Sequence, residues 1–327
     1  MSAVVSPSSP SSEALPSQSL VAPGEVIAGR YLVGPLMGAS HRALVYRAKH
    51  IGLGFPVSLQ VLGPDVARNS LTWRRFGQEL RALGALHNEH VVRVHDAGTL
   101  RSGVRFLITE RLEGEDLATV LRRGPLPVDR AADYVCQVCS ALADAHRLGI
   151  VHRNVRPENV FLARTRASQP AVKLLDFGVA LFLEGPDQLT LQGCGCVSPA
   201  ELSPEQLRNP NAVDHRSDLW SVGMLLFEAL VGRSPFSGFS TAQILRALSE
   251  GPMPLLPLAC PSIPPGLAAL VQHCLERDPA RRPTCADEVI ERLERFSSRP
   301  GRRARALATP SPPATQRLTA LPDQTAS

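Results

Sequence analysis

The hydrophobic period of this chain changes near Gly114, and that change constrains the fold more than any single residue does. Before it, residues 30–36, 43–48 and 56–62 are short β-prone runs separated by Gly-rich or polar turns. Residues 91–94 and 105–109 have the same character. One interruption is helical: Phe76, Leu80, Leu83 and Leu86 recur at helical spacing within 71–87. After Gly114 the spacing becomes mostly helical. Residues 129–147 place Ala132, Val135, Cys136, Cys139 and Leu142 on one apolar stripe, and residues 219–231 are apolar nearly all round, as in a buried helix. A closing helix is expected after Thr284-Cys285-Ala286-Asp287, a Ser/Thr-x-x-acidic start signal. The pattern predicts an α+β chain in which a small β-rich part precedes a larger helical part.

Composition sets the outer limits. Residues 1–25 are dominated by Ser, Pro and Ala and read as a disordered tail; residues 298–327 read likewise, with Arg299, Arg302, Arg303 and Arg305 as solvated charges. The span 26–297 is left as one globular region without internal repeats. With 44% apolar residues it can build a core. A net charge of +5 with intermixed signs does not make a nucleic-acid platform. Seven scattered cysteines do not make a disulfide framework. The longest apolar run, 219–231, holds Ser221 and Glu228 and is too short to span a bilayer. With no leader-like start, the expectation is a cytoplasmic protein that binds neither nucleic acid nor membrane.

Nine short strings then follow one another in a fixed order. They are G-x-x-x-x-x-x-V-Y at 38–46, R-F-x-x-E at 75–79, E-x-L-E-G-E-D-L at 110–117, G-I-V-H-R at 149–153 and P-E-N at 157–159. D-F-G at 176–178, S-P-E-Q at 203–206, D-L-W-S-V-G at 218–223 and D-P-A-R-R-P at 278–283 complete the series. Each is weak alone. In this order the chain resembles a bacterial serine/threonine protein kinase domain of the eukaryotic-like (Hanks) type across 26–297. The resemblance implies a two-lobed fold, β-rich over about 26–110 and helical over about 111–297, with ATP and Mg²⁺ as cofactors.

The departures from that family fall on its chemistry. The Gly-rich loop keeps Gly38 but has Ser40 and Ala43 for its other glycines, each adding a Cβ where backbone must approach phosphate. Gly38, Ser40, Ala43, Val45, Ser58 and Glu110 occupy the family's nucleotide-binding positions, Ser58 replacing the usual Ala above the adenine. Gln60 stands where the family's β3 lysine pairs with phosphates and with the helix glutamate, here Glu79. A neutral Gln60–Glu79 hydrogen bond can hold that helix but cannot offset phosphate charge. Asn154 replaces the catalytic Asp, and an amide has no basic lone pair near neutral pH. Arg156 replaces a lysine two residues on. Asn159 and Asp176 match the family's Mg²⁺ ligands. In the with-no-lysine kinases a basic loop residue substitutes for the missing lysine; Arg42 is the position to consider here, though an exposed turn residue is the plainer expectation.

The scaffold is better kept. Phe177 is expected to stack with Leu83, Val94 and His152 in the family's internal column, rooted by Asp218. Glu205 and Arg282 match its buried ion pair. Arg153 matches the arginine that in the family receives an activation-loop phosphate; Thr190 and Ser198 lie in the activation segment as candidates for phosphorylation by a partner kinase, ordinary loop hydroxyls being the plainer expectation. Cys136-x-x-Cys139 has metal-like spacing but lies on an apolar stripe, so buried thiols are expected rather than zinc; Cys194-Gly-Cys196 falls in a loop. The sequence therefore implies a pseudokinase, a regulator or scaffold in bacterial phospho-signalling that binds ATP and Mg²⁺ weakly or not at all. Its partners would be proteins, an active kinase or that kinase's substrate. The alternatives are a low-activity serine/threonine kinase and a nucleotide sensor.

Overall fold

The computed structural model describes residues 21–39, 43–62, 84, 86–100, 102–165, 170–177, 199–209, 213–251, 253, 255–256 and 260–298. Two compact units emerge, one from residues up to 69 with 95–111, the other from 70–94 and everything after 111. The helix expected over 71–87 lies almost wholly outside the described residues.

The first unit is built on a six-stranded sheet. Its strands are β1 Val26–Ile27, β2 Tyr31–Ala39, β3 Ala43–His50, β4 Pro56–Leu62, β5 Val94–Thr99 and β6 Arg105–Glu110, in the order β1-β2-β3-β4-β6-β5. Strand β4 coincides with the expected run, and its alternation explains why: Val57, Leu59 and Val61 are fully buried on one face, while Ser58 and Gln60 point to the other. Across the ladder the buried face continues into Tyr46, Phe106 and Ile108. Residues 21–25 join this unit. Val21 is buried in its core, and Gly24 N donates to Val33 O (2.8 Å).

The strand expected at 91–94 is corrected. Val91 forms only an isolated parallel bridge to Leu174, and β5 begins at Val94 and runs through His-Asp-Ala-Gly-Thr. That polar stretch has no apolar alternation to betray it. It stays in the sheet through close packing: a Cβ on Gly98 would lie 2.8 Å from the Phe106 ring.

The second unit carries a small antiparallel ribbon, β7 Gly114–Asp116, β8 Val160–Ala163 and β9 Ala171–Leu174, with, among the described residues, seven α-helices. These are α1 Leu117–Leu121, α2 Val128–Arg147, α3 Pro204–Arg208, α4 Arg216–Val231, α5 Thr241–Ser249, α6 Pro265–Cys274 and α7 Ala286–Leu293. Helix α4 is the hub, with Leu219, Trp220, Val222 and Leu226 all fully buried. It approaches α6 so closely that a Cβ on Gly223 would stand 2.7 Å from Cys274 Cβ. It ends at Gly232, whose φ of 79° needs a residue without a Cβ. The α2 stripe is buried as its spacing predicts, Cys136 being partly exposed. Helix α7 starts where expected, but its start signal works differently. Thr284 N and Oγ1 bond Glu288 (2.8 and 3.1 Å), while Asp287 pairs with Arg147. Among the described residues no helix is long and apolar enough to cross a membrane.

Candidate active site

The loop between α2 and β8 is held by one buried carboxylate. Asp218, in the first turn of α4, accepts from His152 N (2.8 Å) and Arg153 N (2.7 Å) and bonds His146 Nε2 (2.8 Å). Burial alone would raise its pKa. The hydrogen bond and charge of His146, with His152 and its amide, hold it below the usual carboxylate range. Two backbone amides drawn onto one carboxylate bend the loop sharply, and Arg153 adopts φ 64°, uncommon for a residue with a side chain.

His152 is fully buried, and its neighbours fix its tautomer. Nε2 lies 2.8 Å from Leu175 O, so this nitrogen carries the hydrogen; Nδ1 accepts from Asn154 N (3.3 Å). The ring is therefore neutral, and burial keeps its pKa below the ordinary histidine value. It meets Phe177 edge-on at 4.4 Å between centroids, so this part of the expected column is present. Val94 is partly buried; Leu83 lies outside the described residues.

Asn154 sits on this loop with its carbonyl turned inward. Asn159 Nδ2 donates to Asn154 O (2.8 Å), which fixes the Asn159 amide and leaves Oδ1 as its coordinating atom. Leu175 N donates to Asn159 O (2.8 Å), so the ribbon brings Asn159 beside Asp176. Asp176 also has a left-handed backbone, with φ 60°. An amide oxygen and a carboxylate are the hard donors that Mg²⁺ prefers, so these two residues fit the ion.

Arg156 is committed elsewhere. Its Nε donates to Glu158 (2.7 Å) and its Nη1 to Glu201, in the short 3₁₀ turn 199–201. Glu228 of α4 belongs to the same charge group. Burial and the Glu158 carboxylate, with a further push from Glu201, raise its pKa to about 7 against the pull of Arg156.

Behind the loop, Arg282 is buried with every N–H used. Nη1 and Nη2 grip both oxygens of Glu205 (2.6 and 2.7 Å); the other donors reach the carbonyls of Glu276, Arg216 and Arg277. Its guanidinium lies over the Trp220 ring at 5.1 Å. Ser217 Oγ adds a third bond to Glu205 (2.5 Å). Burial works against the Glu205 charge, but Arg282 and Ser217 keep its pKa below normal.

In the first unit, Gln60 and Ser58 share a sheet face with Val45, directly opposite Gln60 on β3. On β6 the same face carries Leu107 and Thr109, both buried, while Glu110 pairs with Val57 on the opposite face. Gly38 pairs with Val45, and Ala43 with Leu62. Ser40, Arg42, Glu79, Thr190, Ser198, Cys194 and Cys196 lie outside the described residues. Burial drives the Cys136 thiol up to about 12 and holds Cys139 well above its normal range, so both behave as small apolar groups.

Sequence reasoning did not find His146, Ser217, Trp220, Glu201 or Thr109. Each acts through a tertiary contact. His146 comes against Asp218 only because α2 ends there and the chain turns back at Gly149, with φ 74°. Thr109 becomes visible once the β4–β6 register aligns it with Ser58.

Comparison with known proteins accounts for this arrangement. Residues 31–292 match the family model described as protein kinase domain. The serine/threonine-protein kinase pkn3 of Myxococcus xanthus is 34% identical over 88% of this chain and 55% of its own length. PknL of Mycobacterium tuberculosis is 36% identical over 77% of this chain and 62% of its own. The chain thus spans roughly half the length of these two relatives. The crystal structure of the Mycobacterium tuberculosis PknI kinase domain superposes with a TM-score of 0.68 and 25% identity, covering 85% of this chain and all of that one. The β-rich unit and the helical unit are those of the protein kinase fold, and the chain belongs to the bacterial Hanks-type serine/threonine kinase family.

Proposed function

We propose that this chain is a pseudokinase, a regulatory or scaffolding module of bacterial serine/threonine phospho-signalling. The observation that carries the reading is Asn154. It occupies the catalytic-base position on a loop whose supports, Asp218, His152 and Asn159, all make their contacts. A well-built loop without a base loses the proton acceptor for a substrate hydroxyl, a defect of about 10²–10⁴ in rate. Gln60 removes the charge expected to meet phosphate, a further loss of about 10²–10³ for one electrostatic contact. Arg156, held by Glu158 and Glu201, is drawn toward carboxylates rather than left as a spare cation. ATP and Mg²⁺ would bind weakly: Asn159 and Asp176 would hold the ion, which would supply charge neutralisation to phosphates, while Gln60 would supply none. The partner would be a protein, an active kinase or its substrate.

A second reading, a low-activity serine/threonine kinase, draws on the retained Asn159 and Asp176 and on relatives that are themselves named kinases. Joint restoration separates the two. Gln60→Lys with Asn154→Asp should raise phosphotransfer to a generic protein substrate by at least about a hundredfold over the parent. A parent already within a few fold of the double variant would favour the second reading.

A further inference from the structure

The last helix is clamped to α2 at both ends, and the two clamps differ in kind. Helices α2 and α7 run antiparallel. At one end Arg147 reaches Asp287 (3.0 Å), an exposed pair of the sort that salt screens. At the other end Asp133 is buried, 5% exposed, with no cation at ion-pair distance among the described residues. Its charge is met by hydroxyls instead. Ser297 Oγ donates to Oδ1 and Ser298 Oγ donates to Oδ2 (2.5 Å). The backbone of the same residue is tied in as well, Asp133 O accepting from Gln137 Nε2 (3.1 Å). Between helix and clasp, Phe296 packs on the helical core and touches the Gly266 end of α6.

Such a clasp works only while the serines can donate hydrogen. A buried carboxylate accepts hydroxyl hydrogens and repels any second anion. Ser298 is exposed, so its oxygen is open to solvent chemistry on the side away from Asp133. In sequence, Arg295 precedes the pair and Arg299 follows it.

We propose that Ser298 is a phosphoryl-acceptor site and that its modification opens this clasp. An active serine kinase with a nucleoside triphosphate would supply the group. The bond from Ser298 Oγ to the γ-phosphorus forms, and the bond from that phosphorus to the β,γ-bridging oxygen breaks. The hydroxyl proton passes to that kinase's base, and a nucleoside diphosphate leaves. The ester oxygen has no hydrogen for Asp133, and the group brings a charge of about −1.5 to −2 at pH 7 beside a buried carboxylate. The end of α7 and Phe296 then detach from α2.

The test uses the full chain carrying genetically encoded phosphoserine at 298, with Ser298→Glu and Ser298→Ala as companions. Tryptic cleavage after Arg295 should accelerate about tenfold or more in the phosphoserine protein and by less in Ser298→Ala, as expected for a locally opened end. In an Asp133→Asn background the additional effect of Ser298→Glu should shrink below about twofold, because the repelling charge is gone. Hydrogen exchange over residues 293–298 gives the same answer without altering Asp133: protection falls on phosphorylation while α4 stays protected. Unchanged cleavage and protection in the phosphoserine protein, or an undiminished Ser298→Glu effect in the Asp133→Asn background, overturns the proposal.

Discussion

Two parts of the helical unit, remote in sequence and brought together at one loop, differ in what they hold. The supports of the catalytic loop are complete: Asp218 holds two amides and a histidine, and Arg282 spends all five N–H groups on Glu205 and three carbonyls. The loop itself carries the amide Asn154, proposed above to stand at the base position, and an Arg156 tied to two glutamates. Supports are buried, and a buried charge that loses its partner is costly to folding. Asn154 and Arg156 are only partly buried, so exchanges there cost the fold less. The difference teaches that the forces maintaining this architecture are separable from those that would maintain phosphotransfer.

That contrast can be broken at its strongest point first. Arg282→Ala leaves Glu205 buried without a counterion and should destabilise the protein by about 3–5 kcal/mol in denaturant unfolding. A loss below about 1 kcal/mol would remove the pair from the scaffold. Asp218→Asn should cost less, about 1.5–3 kcal/mol, since the amide oxygen still accepts one hydrogen bond. Its distinguishing mark would be faster hydrogen exchange at His152 and Arg153, with α6 unaffected.

Titration sharpens the comparison because Glu228, in the Arg156 charge group, responds to pH with the opposite sign to Asp218 and Glu205. Asp218 and Glu205 have depressed pKa values, so their stabilisation is present above the unfolded carboxylate range and is lost as pH falls through the folded values. Glu205→Gln should therefore flatten the fall in melting temperature below pH 4.5. Glu228 is raised to about 7 from an unfolded value of 4.5. The folded state there binds more protons between those limits, so this group makes stability decline as pH rises from 4.5 to 7. Glu228→Gln should raise the melting temperature at pH 8 and leave it unchanged at pH 4; an equal gain at both would show that charge is not the cause. The smallest effects belong to the reacting positions. Gln60→Lys and Asn154→Asp, at partly buried positions, should each alter unfolding free energy by no more than about 1 kcal/mol.

How much of this was legible in the sequence follows from what each feature rests on. Strand β4 was readable because Val57, Leu59 and Val61 alternate with Ser58 and Gln60, α2 because its apolar residues keep helical spacing, and α4 because it is apolar nearly all round. Strand β5 was not, because its place rests on Gly98 admitting the Phe106 ring rather than on alternation. Asp218, Glu205 and Arg282 were found through motif order, and the structure joins them. Their helpers His146, Ser217 and Trp220 carry no local signal, since each becomes informative only when α4 packs beneath the loop. Glu201 escaped for a related reason: it is remote in sequence from Arg156 and meets it through the 3₁₀ turn at 199–201.

The central claim is tested most directly by transfer of labelled phosphate from ATP, with Mg²⁺, by the unmodified protein to itself and to a generic protein substrate, beside its Asp176→Ala variant. The account predicts incorporation by the parent that is indistinguishable from the variant. Incorporation at an ordinary kinase turnover of about 1–100 per second, abolished by Asp176→Ala, would contradict it.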